Sequence, residues 1–85
     1  MPEISRFLGI VITMYWDDHS PAHFHARYSD YRINVRIADG VVEGRFPKRA
    51  LGHVLEWYEL HKGELEENWR LARERVPLRP IAGLE

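Results

Sequence analysis

The sequence predicts a small α+β protein: an antiparallel three- or four-stranded sheet followed by a two-helix hairpin packed on one sheet face. In the first half, apolar and polar residues alternate as in half-buried strands, whereas in the second half apolar residues recur at helical spacing. A chain of 85 residues, 45% of them hydrophobic and 29% charged, suits a single globular domain. We expect this domain to span residues 1–76 and residues 77–85 to form an extended, mobile tail.

Four strands are predicted in the first half, at residues 7–16, 22–28, 31–37 and 41–45. The first is a continuous apolar run rich in β-branched residues, which is typical of a buried strand. The next two alternate, and Ser29 and Asp30 between them fit a two-residue hairpin turn. The sequence therefore predicts strands joined by short turns.

Two helices are predicted in the second half. Pro47 is suited to the first helical position, and Gly63 is expected to end this helix. The acidic run at residues 64–67 suits the first turn of a second helix, because the positive end of the helix dipole favours carboxylates there. Pro77 would stop the second helix.

The predicted hairpin register places six polar side chains on one sheet face. A turn at Ser29 and Asp30 sets three pairs opposite each other: Arg27 with Arg32, His25 with Asn34, and His23 with Arg36. We expect this face to look outward, since the helices need the apolar face.

Like charges directly opposite each other destabilise a strand pair, and Arg27 against Arg32 is such a pair. A bound anion would offset the repulsion, as would acidic neighbours such as Asp17 or Asp18. The candidate anion-binding residues are therefore Arg27, Arg32, Asn34 and Arg36.

The histidine-rich stretch that begins at Asp17 suggests a second chemistry. His23 and His25 lie two residues apart on one strand face, so both rings could converge on one metal ion. Asp17, Asp18 or His19 could add a third ligand, and zinc, manganese, iron or nickel would suit such a set. Without a metal, His23 and His25 could act as a general acid and base. The simplest alternative is a surface cluster in which the histidines bond to the aspartates.

The composition indicates where in the cell the protein is located and which partners it can bind. The chain has no Cys, which excludes disulfides and agrees with a cytoplasmic location. The apolar run at residues 7–14 is too short to span a bilayer and has no cleavage site after it, so we expect no membrane association. The formal net charge of −1 gives no overall attraction to nucleic acid, but residues 27–49 carry six basic and three acidic side chains. A local basic face is therefore expected.

Three stretches of the chain resemble one family of small prokaryotic proteins, called domain of unknown function 4160. They are Pro2 to Phe7, the Asp-Asp-His-Ser-Pro-Ala-His-Phe-His string of residues 17–25 with its flanks, and a helical pattern from Leu55 to Trp69. The resemblance runs from about residue 2 to about residue 80. It implies a bacterial, cytoplasmic domain with no established activity or catalytic residues, and a role as one member of a toxin–antitoxin-like pair with a small companion protein.

Three functional hypotheses follow. In the first, which we favour, a binding module presents its His/Arg face to nucleic acid or to an acidic protein. In the second, a metal-dependent or histidine-based nuclease or hydrolase uses the cluster from Asp17 to His25. In the third, the helices bind a companion protein through a surface that includes Trp57, which would require Trp57 to be exposed.

Overall fold

The computed structural model describes residues 2–84, and within them a five-stranded antiparallel sheet is followed by one long helix. The strands follow each other across the sheet in chain order. The α+β class is confirmed. The prediction of three or four strands was wrong, because the sheet has five, and the prediction of a two-helix hairpin was wrong, because there is one long helix. The elements are β1 (Glu3–Phe7), β2 (Ile10–Thr13), β3 (His23–Tyr28), β4 (Tyr31–Arg36), β5 (Val42–Arg45) and α1 (Lys48–Arg73).

The additional strand is β1, which lies mostly before the segment at residues 7–16 that was predicted to be one continuous strand; β2 occupies only residues 10–13 of that segment. A two-residue turn at Leu8 and Gly9, with φ angles of 50° and 80°, separates β1 from β2. Two positive φ angles are typical of the hairpin turn that matches strand twist, but Leu-Gly lacks the Asn or Asp that usually marks it. The sequence therefore gave only a weak turn signal.

The helix continues through Gly63 instead of ending there. It is kinked at His61, whose φ of −122° and ψ of 21° are not helical, and the chain then resumes the helix without reversing. Trp57 before the kink and Leu65 after it are both fully buried. The parts of α1 before and after His61 therefore both cover the core. The kink lets them do so without a loop between two separate helices.

The core lies between α1 and the face of the sheet that carries Phe24 and Val35. The rings of Phe24 and Trp57 meet edge to face with centroids 5.6 Å apart, and Phe7 packs on the same indole at 5.4 Å. Burial of these large side chains supplies most of the apolar contact that a small domain needs. The opposite sheet face, which carries Arg27 and Arg32, is what we call the open face; α1 reaches it at His23, whose ring packs against Trp69.

Beyond α1, the predicted extended segment lies against the body of the protein. Ile81 is buried and donates its backbone N–H to the carbonyl oxygen of Ile4 in β1 at 2.7 Å. The indole N–H of Trp57 donates to the carbonyl oxygen of Ala82 at 2.8 Å. Residues 77–84 therefore contribute to the core and to the environment of β1.

Among residues 2–84 we find no helix with the length and apolar character needed to cross a membrane.

Candidate functional site

The open face carries the polar side chains that the hairpin register predicted. The register of β3 and β4 is confirmed: Tyr28 lies opposite Tyr31, and the pairs before them follow without a slip. They are Arg27 with Arg32, His25 with Asn34, and His23 with Arg36. All six predicted side chains therefore lie on strands that the structure pairs as expected.

The loop between β2 and β3 carries Asp18 and is fastened to the far end of α1. This attachment joins parts of the chain that are more than fifty residues apart, so no local sequence pattern predicts it. It positions Asp18 beside the first residues of β3. The contacts are the indole N–H of Trp16 with the carbonyl oxygen of Val76 at 3.0 Å, Arg75 Nε with Asp17 Oδ1 at 2.9 Å, and Arg73 Nη1 with Ser20 Oγ at 3.3 Å.

Asp18, His23 and His25 meet in what we call the Asp18 cluster. Asp18 Oδ2 lies 3.0 Å from His23 Nε2 and 3.0 Å from His25 Nε2. Each residue offers one ligand atom, and all three atoms lie within 4.8 Å of one another. Two imidazoles and one carboxylate form a donor set that suits a divalent transition metal.

The hydrogen bonds of His23 create a mismatch inside this cluster. Its Nδ1 lies 2.8 Å from the carbonyl oxygen of Pro21, and because a carbonyl can only accept, Nδ1 carries a proton. In the neutral ring, Nε2 then presents a lone pair to the Asp18 carboxylate, which is also an acceptor. Nε2 is buried and, among residues 2–84, has no hydrogen-bond partner of acceptable geometry. A cation at this point, either a proton or a metal ion, would resolve the conflict.

The Asp18 carboxylate is held in its ionised form. Partial burial by itself raises its pKa, but the hydrogen bond from His25, the backbone N–H of His19 at 2.9 Å and the charges of His23 and His25 together outweigh burial. The net pKa of Asp18 therefore lies below its usual value. The carboxylate is available to accept hydrogen bonds or to ligate a cation at neutral pH.

Three predicted site residues differ from their expected environments. His23 was expected to face outward, but it is only 6% exposed, because the ring packs among His19, His25 and Trp69 with centroids 5.0 to 5.5 Å apart. Asp17 turns away to pair with Arg75. His19 stays next to Asp18, with Nδ1 3.1 Å from Oδ1, but its side chain is 83% exposed and lies outside the Asp18 cluster.

The arginine row is the second feature of the open face, and it consists of Arg27, Arg32 and Arg45. Arg32 lies opposite Arg27 on one side and opposite Arg45 on the other, so three adjacent strands place arginines in one line. Within residues 2–84 none of these three arginines forms an ion pair. Glu43, which lies opposite Asn34, is in the neighbouring row.

Arg36, predicted as a binding residue, already has an acidic partner. Its Nε and Nη2 donate to the two carboxylate oxygens of Asp39, both at 2.8 Å. Arg45, in contrast, was not among the predicted binding residues. Pairing the strand at residues 41–45 with β4 in register would have placed it opposite Arg32. That register depends on the length of the turn between the two strands, which was not predicted.

Comparison with protein families gives one match. The model of a family described as a domain of unknown function (DUF4160) matches residues 9–70, most of the chain and all of the Asp18 cluster and the arginine row. The comparisons with curated proteins and with solved structures give no significant match.

Proposed function

Because the chain belongs to the DUF4160 family, whose description assigns no activity, we propose from the geometry that it is a nucleic-acid-binding module. In this proposal, the arginine row of the open face contacts the phosphate backbone. The observation that carries it is the line of three arginines that form no ion pair within the described chain, although the charge of Arg27 acts on the nearby Glu3 carboxylate. A fold with no anionic partner gains nothing from placing like charges opposite each other on neighbouring strands.

Phosphate is the anion that this row suits best. Neighbouring strands lie about 4.8 Å apart, so the backbone positions of Arg27 and Arg45 are separated by about 10 Å along a nearly straight line. Regularly spaced cations match a polymer of regularly spaced anions better than a protein surface with scattered carboxylates. The five strands contain arginines but no lysine, whereas the two lysines of the chain, Lys48 and Lys62, lie in α1. The planar guanidinium suits bidentate contact with phosphate.

The exposed aromatic side chains favour backbone contact over base stacking. Trp16 is 44% exposed, but its indole N–H is already bonded to Val76. Tyr31 is 45% exposed, but it directly precedes Arg32 on β4 and therefore points to the sheet face opposite the arginine row. Tyr15 is only half-buried, and its ring lies against the edge of His25. Platforms for stacked single-stranded bases would need freer rings. Duplex or structured nucleic acid, contacted through its phosphates, is the preferred ligand class.

A salt titration of binding tests this proposal. We would measure the affinity for an RNA duplex and a DNA duplex by fluorescence anisotropy, with a chelator present so that no metal contributes. Each phosphate contact changes the slope of log K against log salt concentration by about 0.9. Arg27→Ala, Arg32→Ala and Arg45→Ala should each lower the slope by about one contact.

Arg49→Ala is the matched control, because Arg49 is exposed in the first turn of α1 and lies outside the arginine row. It should leave the slope unchanged. Equal losses in all four variants, or binding that ignores salt, would contradict the proposal. Tighter binding to polyglutamate than to either duplex would instead favour an acidic protein partner.

Two other interpretations concern a companion protein, and the structure tests one of them. Docking of a companion through Trp57 is wrong, because this residue is fully buried in the core. Pairing with a small companion protein in a toxin–antitoxin-like system stays a prediction, as does the cytoplasmic location. If the companion carries an acidic face or shares the nucleic acid, it would compete for the arginine row.

A further inference from the structure

We propose that Asp18, His23 and His25 form a three-ligand site for a divalent first-row transition metal ion, independent of any binding of nucleic acid. The ligand atoms would be Asp18 Oδ2 and the Nε2 atoms of the two histidines. Three features of the cluster support such a site: the spacing of these atoms, the unpartnered nitrogen of His23, and the hydrogen bonds that orient His23 and Asp18 from outside the cluster.

The distances in the Asp18 cluster match coordination about an ion. Histidine nitrogen and carboxylate oxygen bind such metals at about 2.0–2.2 Å. Two ligands at right angles around an ion are then about 3.0 Å apart, whereas tetrahedral ligands are about 3.4 Å apart. The two separations of 3.0 Å from Asp18 Oδ2 fit the right angle, and the two histidine nitrogens lie within 4.8 Å of each other. Three protein ligands would leave the remaining positions of the ion to water or substrate.

The unpartnered nitrogen of His23 supplies the second observation. The side chain of His23 is only 8% exposed. Its Nε2 faces the carboxylate of Asp18 but forms no hydrogen bond of acceptable geometry with it. Leaving a buried polar atom unsatisfied costs about 1–3 kcal/mol, so folded proteins rarely keep one without a reason. A metal ion accepts the lone pairs of both Nε2 and the carboxylate and removes the conflict.

The surroundings orient two of the three ligands as metal sites usually do. Metal-binding histidines normally donate the other ring N–H to a carbonyl or carboxylate, which selects the tautomer that ligates. His23 does this with the carbonyl oxygen of Pro21 at 2.8 Å. The other carboxylate oxygen of Asp18, Oδ1, accepts the backbone N–H of His19, so Oδ2 is the oxygen that faces the two histidines.

The donor set also selects among metals. Two nitrogen ligands disfavour Mg²⁺ and Ca²⁺, which prefer oxygen, and favour ions such as Fe²⁺, Co²⁺, Ni²⁺ and Zn²⁺. A single carboxylate with two neutral imidazoles gives a site of net charge +1 with a divalent ion. Such a site would bind anionic ligands in its open positions.

Metal binding to untagged protein tests the proposal. We would titrate Zn²⁺ by calorimetry and Co²⁺ by visible absorption, and use Mg²⁺ as the comparison ion. One equivalent of Zn²⁺ or Co²⁺ should bind, Mg²⁺ should not, and Zn²⁺ should raise the temperature of unfolding. His25→Ala and Asp18→Asn should each weaken binding at least about tenfold. His25 is partly exposed, so its removal should leave a folded protein, verified by circular dichroism.

His53→Ala is the matched control, because this histidine lies on α1 outside the Asp18 cluster. It should retain the full equivalent of metal and the thermal shift. Retention of Zn²⁺ by folded His25→Ala and Asp18→Asn would overturn the proposal, as would absence of binding in the wild type. Binding of Mg²⁺ with equal affinity would also overturn it. Salt-dependent nucleic-acid binding measured with a chelator would be unaffected by any of these results.

Discussion

Asn68 and Arg79 are joined by two hydrogen bonds of 2.8 Å, in which the side-chain amide of Asn68 pairs with the backbone of Arg79. The amide nitrogen donates to the carbonyl oxygen, and the amide oxygen accepts the backbone N–H. Asn68 is only 1% exposed and sits among the apolar residues of α1. One buried polar side chain thus connects the helix to the segment that follows it.

Removal of this amide should destabilise the protein and loosen residues 77–84. We expect Asn68→Ala to cost about 1–3 kcal/mol in the free energy of unfolding, because the amide's hydrogen bonds are lost. Urea unfolding gives the stability, and limited proteolysis reports the exposure of the segment. Asn34→Ala, which changes the other asparagine of the chain, is the control. Equal proteolysis of both variants would contradict an attachment through Asn68.

Repulsion within the arginine row should make Arg32 unfavourable for the stability of the folded protein. Like charges directly opposite each other on strands cost roughly 0.2–1 kcal/mol. Arg32 faces an arginine on both sides, so Arg32→Gln should stabilise the protein by an amount in this range at low ionic strength. The gain should disappear at about 1 M salt, where charges are screened within about 3 Å. Thermal unfolding at the two salt concentrations measures it, and destabilisation at both would show that Arg32 contributes by packing.

Stability near pH 3 should depend on Asp39. The hydrogen bonds from Arg36, followed by that from the backbone N–H of Val41, hold the pKa of Asp39 below its usual 3.8. A carboxyl group with a lowered pKa in the folded state stabilises that state above the unfolded pKa, and the contribution is lost as the pH falls through the folded pKa. The unfolding temperature of Asp39→Asn should therefore be lower than that of wild type at pH 6, and this difference should shrink as the pH falls below 3.8.

Arg36→Gln, which removes the ion-pair partner of Asp39, checks this pH dependence. With Arg36→Gln as the background, Asp39→Asn should have a smaller effect at pH 6, since the main cause of the lowered pKa is gone. A difference between Asp39→Asn and wild type that persists unchanged at pH 2 would mean that the ion pair is not its source.

Local pattern was sufficient to predict the β3–β4 hairpin, and with it the pairs Arg27–Arg32 and His25–Asn34. Alternation with a period of two and a short turn determine the register completely, because a slip of one residue would reverse every side chain. The same reasoning failed at Leu8 and Gly9, where the turn lacks its usual residue types. It failed again at His61, because a kink and a chain reversal carry similar sequence signals around Gly63.

The Asp18 cluster was only partly predictable. His23 and His25 share a strand face by simple alternation, but the choice of Asp18 over Asp17 depends on contacts with the end of α1. Arg75 engages Asp17, and the rings around His23 bury it. Arg75 and Trp69 both lie far along the chain from Asp17 and His23, so spacing along the sequence holds no information about these two contacts.

The segment after α1 also changes how the sheet can meet other molecules. A sheet whose strands follow chain order has two edges, at β1 and at β5, and Ile81 bonds to the backbone of Ile4 at the first of them. An uncovered edge strand is a template for pairing with further copies. With the β1 edge covered, edge-to-edge association through β5 would stop at two copies. Detaching this segment would open a second edge and permit growth in both directions, so we expect the bonds between Asn68 and Arg79 to limit such growth as well.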